Sequence, residues 1–410
     1  MRPDNLTRQL RLLLLLLVLL PVLADAAALS DETLAVDGRL RRFLVHDFSG
    51  PEPAPLVILL HGGGGSGENM VAQTGFDAVA AREGLIAVYP YGSSALFDNV
   101  LLTWNAGHCC SYAMREDVDD VRFVSLLIDA LVASGRADPE RVYVTGLSNG
   151  GMLTHRIGRE LPHKVAAIAP VISSIFGDEP QPSIAMPTLI INGADDRVVK
   201  PEGGELGVSL GGGAIGGSRT ADRAALPIAR QGEYWAAVNG CAVHADSISA
   251  LWELRSYENC AGGPVQSYLV NDNGHAWPGG TSPRADADEP TQAVDANELI
   301  WDFFRQQRRG STPLLLPFFY DRQLTIPALM PTDGRTVSAS LRLLGGTPPV
   351  FELQQVRAAD AGAMPHGNLY AAGQLVLPRV LVGAEAYQAT LVMISSEPLR
   401  MQVVDLRPAD

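Results

Sequence analysis

The sequence predicts an α/β fold, a mostly parallel sheet flanked by helices, followed by a small all-β tandem-repeat appendage. Three observations carry this. Short apolar runs alternate with segments of helical periodicity up to about residue 305. Three glycine-framed motifs follow strand-like runs: Gly146-Leu147-Ser148-Asn149-Gly150, Gly193-Ala194-Asp195-Asp196-Arg197-Val198, and Gly274-His275-Ala276-Trp277-Pro278-Gly279-Gly280. Beyond Gly310 helical periodicity stops and a self-similar, alternating pattern begins.

The N-terminal segment reads as an export signal. Arg2, Arg8 and Arg11 flank an unbroken apolar run, Leu12 to Leu20, and Ala24-Asp25-Ala26 fits a cleavage site, giving a signal peptide over 1–26. An uncleaved anchor is the alternative, but the run is short for a membrane span and Pro21 interrupts it. The expected location is secreted or periplasmic, with no stable membrane insertion after cleavage. With 45 acidic residues against 31 Lys plus Arg, a nucleic-acid partner is not expected.

The predicted catalytic domain covers 27–310. Arg41 to Val45 is a strand leading into the Pro51–Pro55 turn, and Leu56 to Leu60 is a buried strand ending at His61 and four glycines. Phe76 to Arg82 is helical and Leu85 to Tyr89 a strand. Val121, Val124, Leu127, Ile128 and Leu131 place a helix over 117–134, capped by Asp117 or Asp119. Val142 to Thr145 is a strand and Met152 to Leu161 a helix. Val165 to Ala169, Thr188 to Ile191 and Gln266 to Val270 are further strands, and Ala293 to Phe304 is the last helix. Buried strands separated by helices pair in parallel through right-handed crossovers. Gly203 to Gly217 is glycine-rich and aperiodic, and reads as a mobile, lid-like loop near the site, with a disordered insertion as the alternative.

Residues 311–410 form the predicted C-terminal β domain, after a linker marked by Pro313 and Pro317. It divides into two units of about 50 residues, a repeat-length period. Leu324-Thr325-Ile326-Pro327 matches Leu375-Val376-Leu377-Pro378, and Ser338-Ala339-Ser340-Leu341 matches Gln388-Ala389-Thr390-Leu391. Phe351-Glu352-Leu353 matches Met401-Gln402-Val403, and the stretch ending at Asp360 matches the one ending at Asp410. Docking on an insoluble polymer or the cell envelope and plain stabilisation are both open to these units.

A serine, an acid and a histidine in that chain order are the nucleophile, orienter and base of an α/β-hydrolase fold. Ser148 sits between a strand and a helix, where Gly146 and Gly150 permit the sharp turn that lifts the hydroxyl from the sheet. His275 follows a strand, at the sheet edge where such sites form. Asp196, three residues past Gly193, is the first choice of acid; Asp195 is the runner-up and Asp178 a distant third. The Asn149 N–H is one oxyanion donor, and Gly63, with Gly62 as the alternative, supplies the other. No Gly-Lys-Ser/Thr follows the glycine run, which disfavours a phosphate cradle. Trp104, Trp277 and Tyr91 are candidates for lining the substrate pocket, with plain packing as the competing role. Asp119 and Asp120 are read as bracing a helix. Export permits disulfides, and Cys241 and Cys260, which bracket a short hairpin-like excursion, are expected to pair; Cys109 and Cys110 stay open between a vicinal bridge, free thiols and crosswise pairing. No spaced ligand pattern accompanies His108-Cys109-Cys110, so no metal is expected.

Together, His61-Gly62-Gly63-Gly64, Cys109-Cys110, Val118-Asp119-Asp120-Val121, Gly146 to Met152, Trp235 with Asn239-Gly240-Cys241, and Gly274 to Gly280 resemble the polyhydroxybutyrate depolymerase/feruloyl esterase group (the LpqC-like esterases). The resemblance spans roughly 36–305. It implies Ser148, Asp196 and His275 as the triad, no cofactor, and ester substrates: polyesters, or feruloyl or acetyl groups on plant polysaccharide. Asn192 stands where many relatives have histidine, and Lys200-Pro201 where Pro-Tyr is common. A peptidase of the same fold and a non-catalytic polymer-binding protein are the competing functions.

Overall fold

The computed structural model describes residues 28–95, 101–179, 182, 184–207, 221–282, 287–309, 317–320, 322–331, 335–359, 367–382 and 385–409. The signal peptide, most of the glycine-rich stretch, Pro313, Asp360 and Asp410 lie outside the described residues.

The chain enters with an antiparallel hairpin, β1 (Ala28–Val36) and β2 (Arg39–Asp47). β3 (Ala54–Leu60) and β4 (Ile86–Pro90) are buried along their whole length, which their unbroken apolar runs require. Two short helices, α1 (Gly67–Thr74) and α2 (Asp77–Glu83), connect them. After α3 (Ser111–Arg115) comes α4 (Asp120–Ala133). Of the two proposed caps it is Asp119 that acts, accepting from the Arg122 N–H at 2.8 Å. β5 (Ala137–Leu147) then leads into α5 (Asn149–Glu160), with Ser148 alone between them.

β6 (Ala167–Val171), β7 (Thr188–Gly193), α6 (Ala229–Val238), the hairpin β8 (Val243–Ile248) and β9 (Trp252–Glu258), β10 (Val265–Val270) and α7 (Ala296–Phe304) follow. The sheet runs β1-β2-β4-β3-β5-β6-β7-β10-β9-β8, parallel from β4 to β10 and antiparallel at both ends. One core, with Leu56, Ile58, Phe123 and Trp235, fills one face; another, with Val57, Leu59, Tyr143 and Phe304, fills the other. Alternation along β3 thus sends consecutive side chains to opposite cores.

At the antiparallel ends, the hairpin expected between Cys241 and Cys260 is present as β8 and β9, whereas β1 is a strand that the sequence does not announce. Every residue of β8 is exposed, so no apolar run announces it. Cys241 and Cys260 are bonded at the base of this hairpin, and Cys109 and Cys110 are bonded to each other.

The C-terminal strands form a second, eight-stranded sheet. They are β11 (Phe318–Tyr320), β12 (Gln323–Pro331), β13 (Val337–Gly345), β14 (Val350–Ala358), β15 (Leu369–Ala371), β16 (Gln374–Val382), β17 (Glu385–Ser396) and β18 (Leu399–Pro408). The repeat is visible in the register. β12, β13 and β14 correspond to β16, β17 and β18, and matching irregularities fall at Ile326/Leu329 and Leu377/Val380, and at Ser340/Leu341 and Thr390/Leu391. The units interlock, since β11 pairs with β16 and β12 with β15, both in parallel. Leu324, Ile326, Leu341, Leu375, Leu377 and Leu391 share one core, so each unit buries the face the other would leave wet.

Candidate active site

The parallel strands end on one edge, and the three motifs meet there. Ser148 has φ 54° and ψ −117°, an uncommon conformation for a residue with a side chain. Two glycines make the turn possible. A Cβ on Gly146 would lie 2.5 Å from the Gly150 carbonyl oxygen, and one on Gly150 would lie 2.3 Å from that of Leu60. The helix α5 begins at the next residue, with its positive dipole end beside the hydroxyl.

Ser148 Oγ lies 2.9 Å from His275 Nε2, and His275 Nδ1 lies 2.9 Å from Asp196 Oδ2. The other oxygen of Asp196 accepts the N–H groups of Val198 at 2.7 Å and Val199 at 2.9 Å. Those amides fix the buried carboxylate so that one oxygen faces the imidazole. Asp195 is exposed and its backbone N–H donates to the Asn273 carbonyl. Asp178 is engaged elsewhere, 2.8 Å from His108 Nε2. Of the three acids considered, only Asp196 meets His275.

On the other side of Ser148 runs the glycine loop after β3. The Gly64 N–H donates to the Leu102 carbonyl and the Gly65 N–H to that of Gly62. Gly62 and Gly63 lie nearest the nucleophile turn: a Cβ on Gly62 would sit 3.6 Å from that of Ser148, and one on Gly63 would sit 3.7 Å from that of Asn149. His61 anchors the loop from beneath. Its Nδ1 donates to the Gly62 carbonyl at 2.8 Å and its Nε2 accepts from the Gly92 N–H at 3.0 Å. One donor and one acceptor make this a neutral imidazole. Complete burial agrees, pushing the group down to about 4.

The pocket expectation for the aromatics is corrected. Trp104, Trp277 and Tyr91 are 0%, 1% and 2% exposed, so they present no surface to a ligand. Trp104 is a brace: its indole N–H donates to the His61 carbonyl at 2.9 Å, and its backbone N–H and C=O engage the Asn149 carboxamide at 2.7 and 3.0 Å. Trp277 donates to Asn297 Oδ1 at 3.0 Å. Aromatic bulk near a strand end signals equally well a wall and a wedge behind the wall.

Sequence reasoning missed this supporting layer. Asp120 is buried against Arg41 at 2.6 Å and accepts the Asn105 N–H at 2.7 Å, holding the segment that carries Trp104. Asn149, whose backbone N–H is the expected oxyanion donor, also fastens that segment to the nucleophile turn through its side chain. Among the described residues no cluster of three or more His, Cys, Asp or Glu is placed to hold a metal ion, and no helix is long and apolar enough to cross a membrane.

The family described as Esterase PHB depolymerase matches residues 47–200. A protein named "Putative esterase NocK", from Nocardia uniformis subsp. tsuyamanensis, is 31% identical over 276 residues, covering 63% of this chain and 77% of that protein. Feruloyl esterase B of Piromyces equi is 29% identical over 240 residues, covering 56% of this chain and 41% of the relative, so the match spans less than half of that relative's length. Among solved structures, an acetyl xylan esterase from Aspergillus awamori is similar with a TM-score of 0.46 and 14% identity, over 68% of this chain and 99% of that one. The chain belongs to the polyhydroxybutyrate depolymerase/feruloyl esterase group of α/β-hydrolases and is a carboxylic ester hydrolase.

Proposed function

We propose that this protein is an exported serine esterase acting through an acyl-enzyme on polyhydroxyalkanoate-type polyesters or on feruloyl or acetyl esters of polysaccharide. The observation that carries the reading is the unbroken chain Ser148 Oγ–His275–Asp196, each link 2.9 Å. Ser148 attacks the ester carbonyl as His275 Nε2 takes its proton. Asp196 holds Nδ1–H toward itself and stabilises the imidazolium. The N–H groups of Asn149 and Gly63, with Gly62 as the alternative to the latter, receive the developing oxyanion. His275 then protonates the leaving alcohol, and water repeats the sequence on the acyl group. The apolar run and cleavage site near the N-terminus, together with two disulfides, support export.

Ser148→Ala should abolish hydrolysis of short p-nitrophenyl esters while leaving the fold intact; unchanged turnover would refute the nucleophile. Hydroxybutyrate oligomers, methyl ferulate and acetylated xylan, compared side by side, then identify the substrate class. On the C-terminal strands Val356, Met393, Ile394, Val404 and Leu406 stand exposed, which supports contact with an apolar polymer. Full polymer binding after truncation at Gly310 would remove that role.

A further inference from the structure

His275 sits on a loop, and a loop alone does not hold an imidazole to the tolerance that proton transfer demands. The base has to reach Ser148 with one nitrogen and Asp196 with the other. Two side chains outside the triad grip its backbone. Asn273 is fully buried. Its Nδ2 donates to the carbonyls of Gly274 at 3.0 Å and Ala276 at 2.9 Å, the residues on either side of His275. Its Oδ1 accepts the Thr291 N–H at 3.0 Å. Carbonyls only accept and amides only donate, so this orientation of the carboxamide is the one that satisfies all three partners. The Asn273 backbone carbonyl accepts the N–H of Asp195, next to Asp196, so the same residue also joins the base loop to the acid loop.

The second grip comes from Asp288. Its Oδ2 accepts the backbone N–H of His275 itself at 2.6 Å. Gly274 makes room for it: a Cβ there would lie 2.3 Å from that oxygen. The glycine before the histidine thus has a stated purpose, which is to admit a carboxylate from 13 residues further along the chain.

We propose that Asn273 and Asp288 are the positioning residues of His275, a two-sided clamp that fixes the base without touching substrate. The inference rests on His275 being the base. Asp288 is exposed, so its variants are expected to fold. Asp288→Ala should lower kcat for a p-nitrophenyl ester by about tenfold with KM changed by less than about twofold, and should slow fluorophosphonate labelling by the same factor, because misplacement acts on the chemical step. Asp288→Asn keeps a carbonyl acceptor and loses only the charge, so it should stay within about threefold of the wild type. Asn273→Ala, which removes both donors, should show the same split between kcat and KM. Should it fail to fold, the two Asp288 variants decide the matter. Folded Asp288→Ala protein with kcat and labelling within about twofold of wild type would overturn the clamp. So would equal impairment of Asp288→Asn and Asp288→Ala, since charge and not the hydrogen bond would then be the cause. Turnover retained by Ser148→Ala would instead strike at the underlying reading and is separable from either result.

Discussion

Asp196→Asn is the substitution whose consequence follows most directly from the hydrogen-bond directions. One carboxylate oxygen accepts two backbone amides, from Val198 and Val199, and the other faces His275 Nδ1. An asparagine fits the same volume. Its carbonyl has to stay on the two amides, because those groups can only donate. Its NH2 is then forced toward Nδ1, which becomes an acceptor, and the ring proton moves to Nε2. That is the atom 2.9 Å from Ser148 Oγ that must receive a proton. The base is present, correctly placed and already occupied. A wrong-tautomer substitution of this kind lowers kcat by about 10⁴, equivalent to about 5 kcal/mol of lost transition-state stabilisation. Steady-state hydrolysis of p-nitrophenyl butyrate reads the effect, with a thermal melt to show that the fold survives. Asp195→Asn is the matched control; its side chain is exposed, and activity should remain within about twofold. If Asp196→Asn kept more than about a tenth of the activity, or if Asp195→Asn were the damaging change, the tautomer argument would fail.

Two further perturbations test the frame around the triad. Gly150→Ala places a methyl group 2.3 Å from the Leu60 carbonyl and 2.6 Å from that of His61, both backbone atoms; it should destabilise by at least about 2 kcal/mol, seen as a lower melting temperature, and activity should fall with it. Burial holds His61 down to about 4 and His155 down to about 3, so both are neutral in the fold and bind a proton more readily once unfolded. Their contribution is complete above the ordinary histidine range and is lost as pH falls from about 6.5 through about 4 for His61 and about 3 for His155; for His61 alone the loss by pH 4 is about 3 kcal/mol. Urea unfolding at pH 7 and pH 4 measures this, and equal stability at both would contradict it.

Much of the frame was legible because it rests on patterns a chain states locally. The apolar runs Leu56–Leu60 and Thr188–Ile191 have no reading other than buried strands once helices separate them. Ser148 between its glycines needs a turn that few other sequences can make. What stayed hidden is long-range pairing. Asp288 gives no local sign that it meets the His275 amide, and Asp120 reads as a helix start until Arg41, 79 residues away, is brought to it. Trp104 was visible as a large aromatic near the site, but its indole partner, the His61 carbonyl, is a contact between segments 43 residues apart. Strand β1 packs only Leu34 and Val36 against the core and β8 packs nothing, so neither carries the apolar signal of a buried strand. The C-terminal repeat is written in matching tetrapeptides along the chain, whereas its interlocked pairing follows only from closing the sheet.

The most direct test of the account is the site of covalent capture. Incubation with a fluorophosphonate, followed by peptide mapping by mass spectrometry, should place a single adduct on Ser148, and His275→Ala should suppress it. An adduct on another residue, or full labelling of Ser148→Ala, would contradict the claim that these residues form one proton-relaying chain with Ser148 as nucleophile.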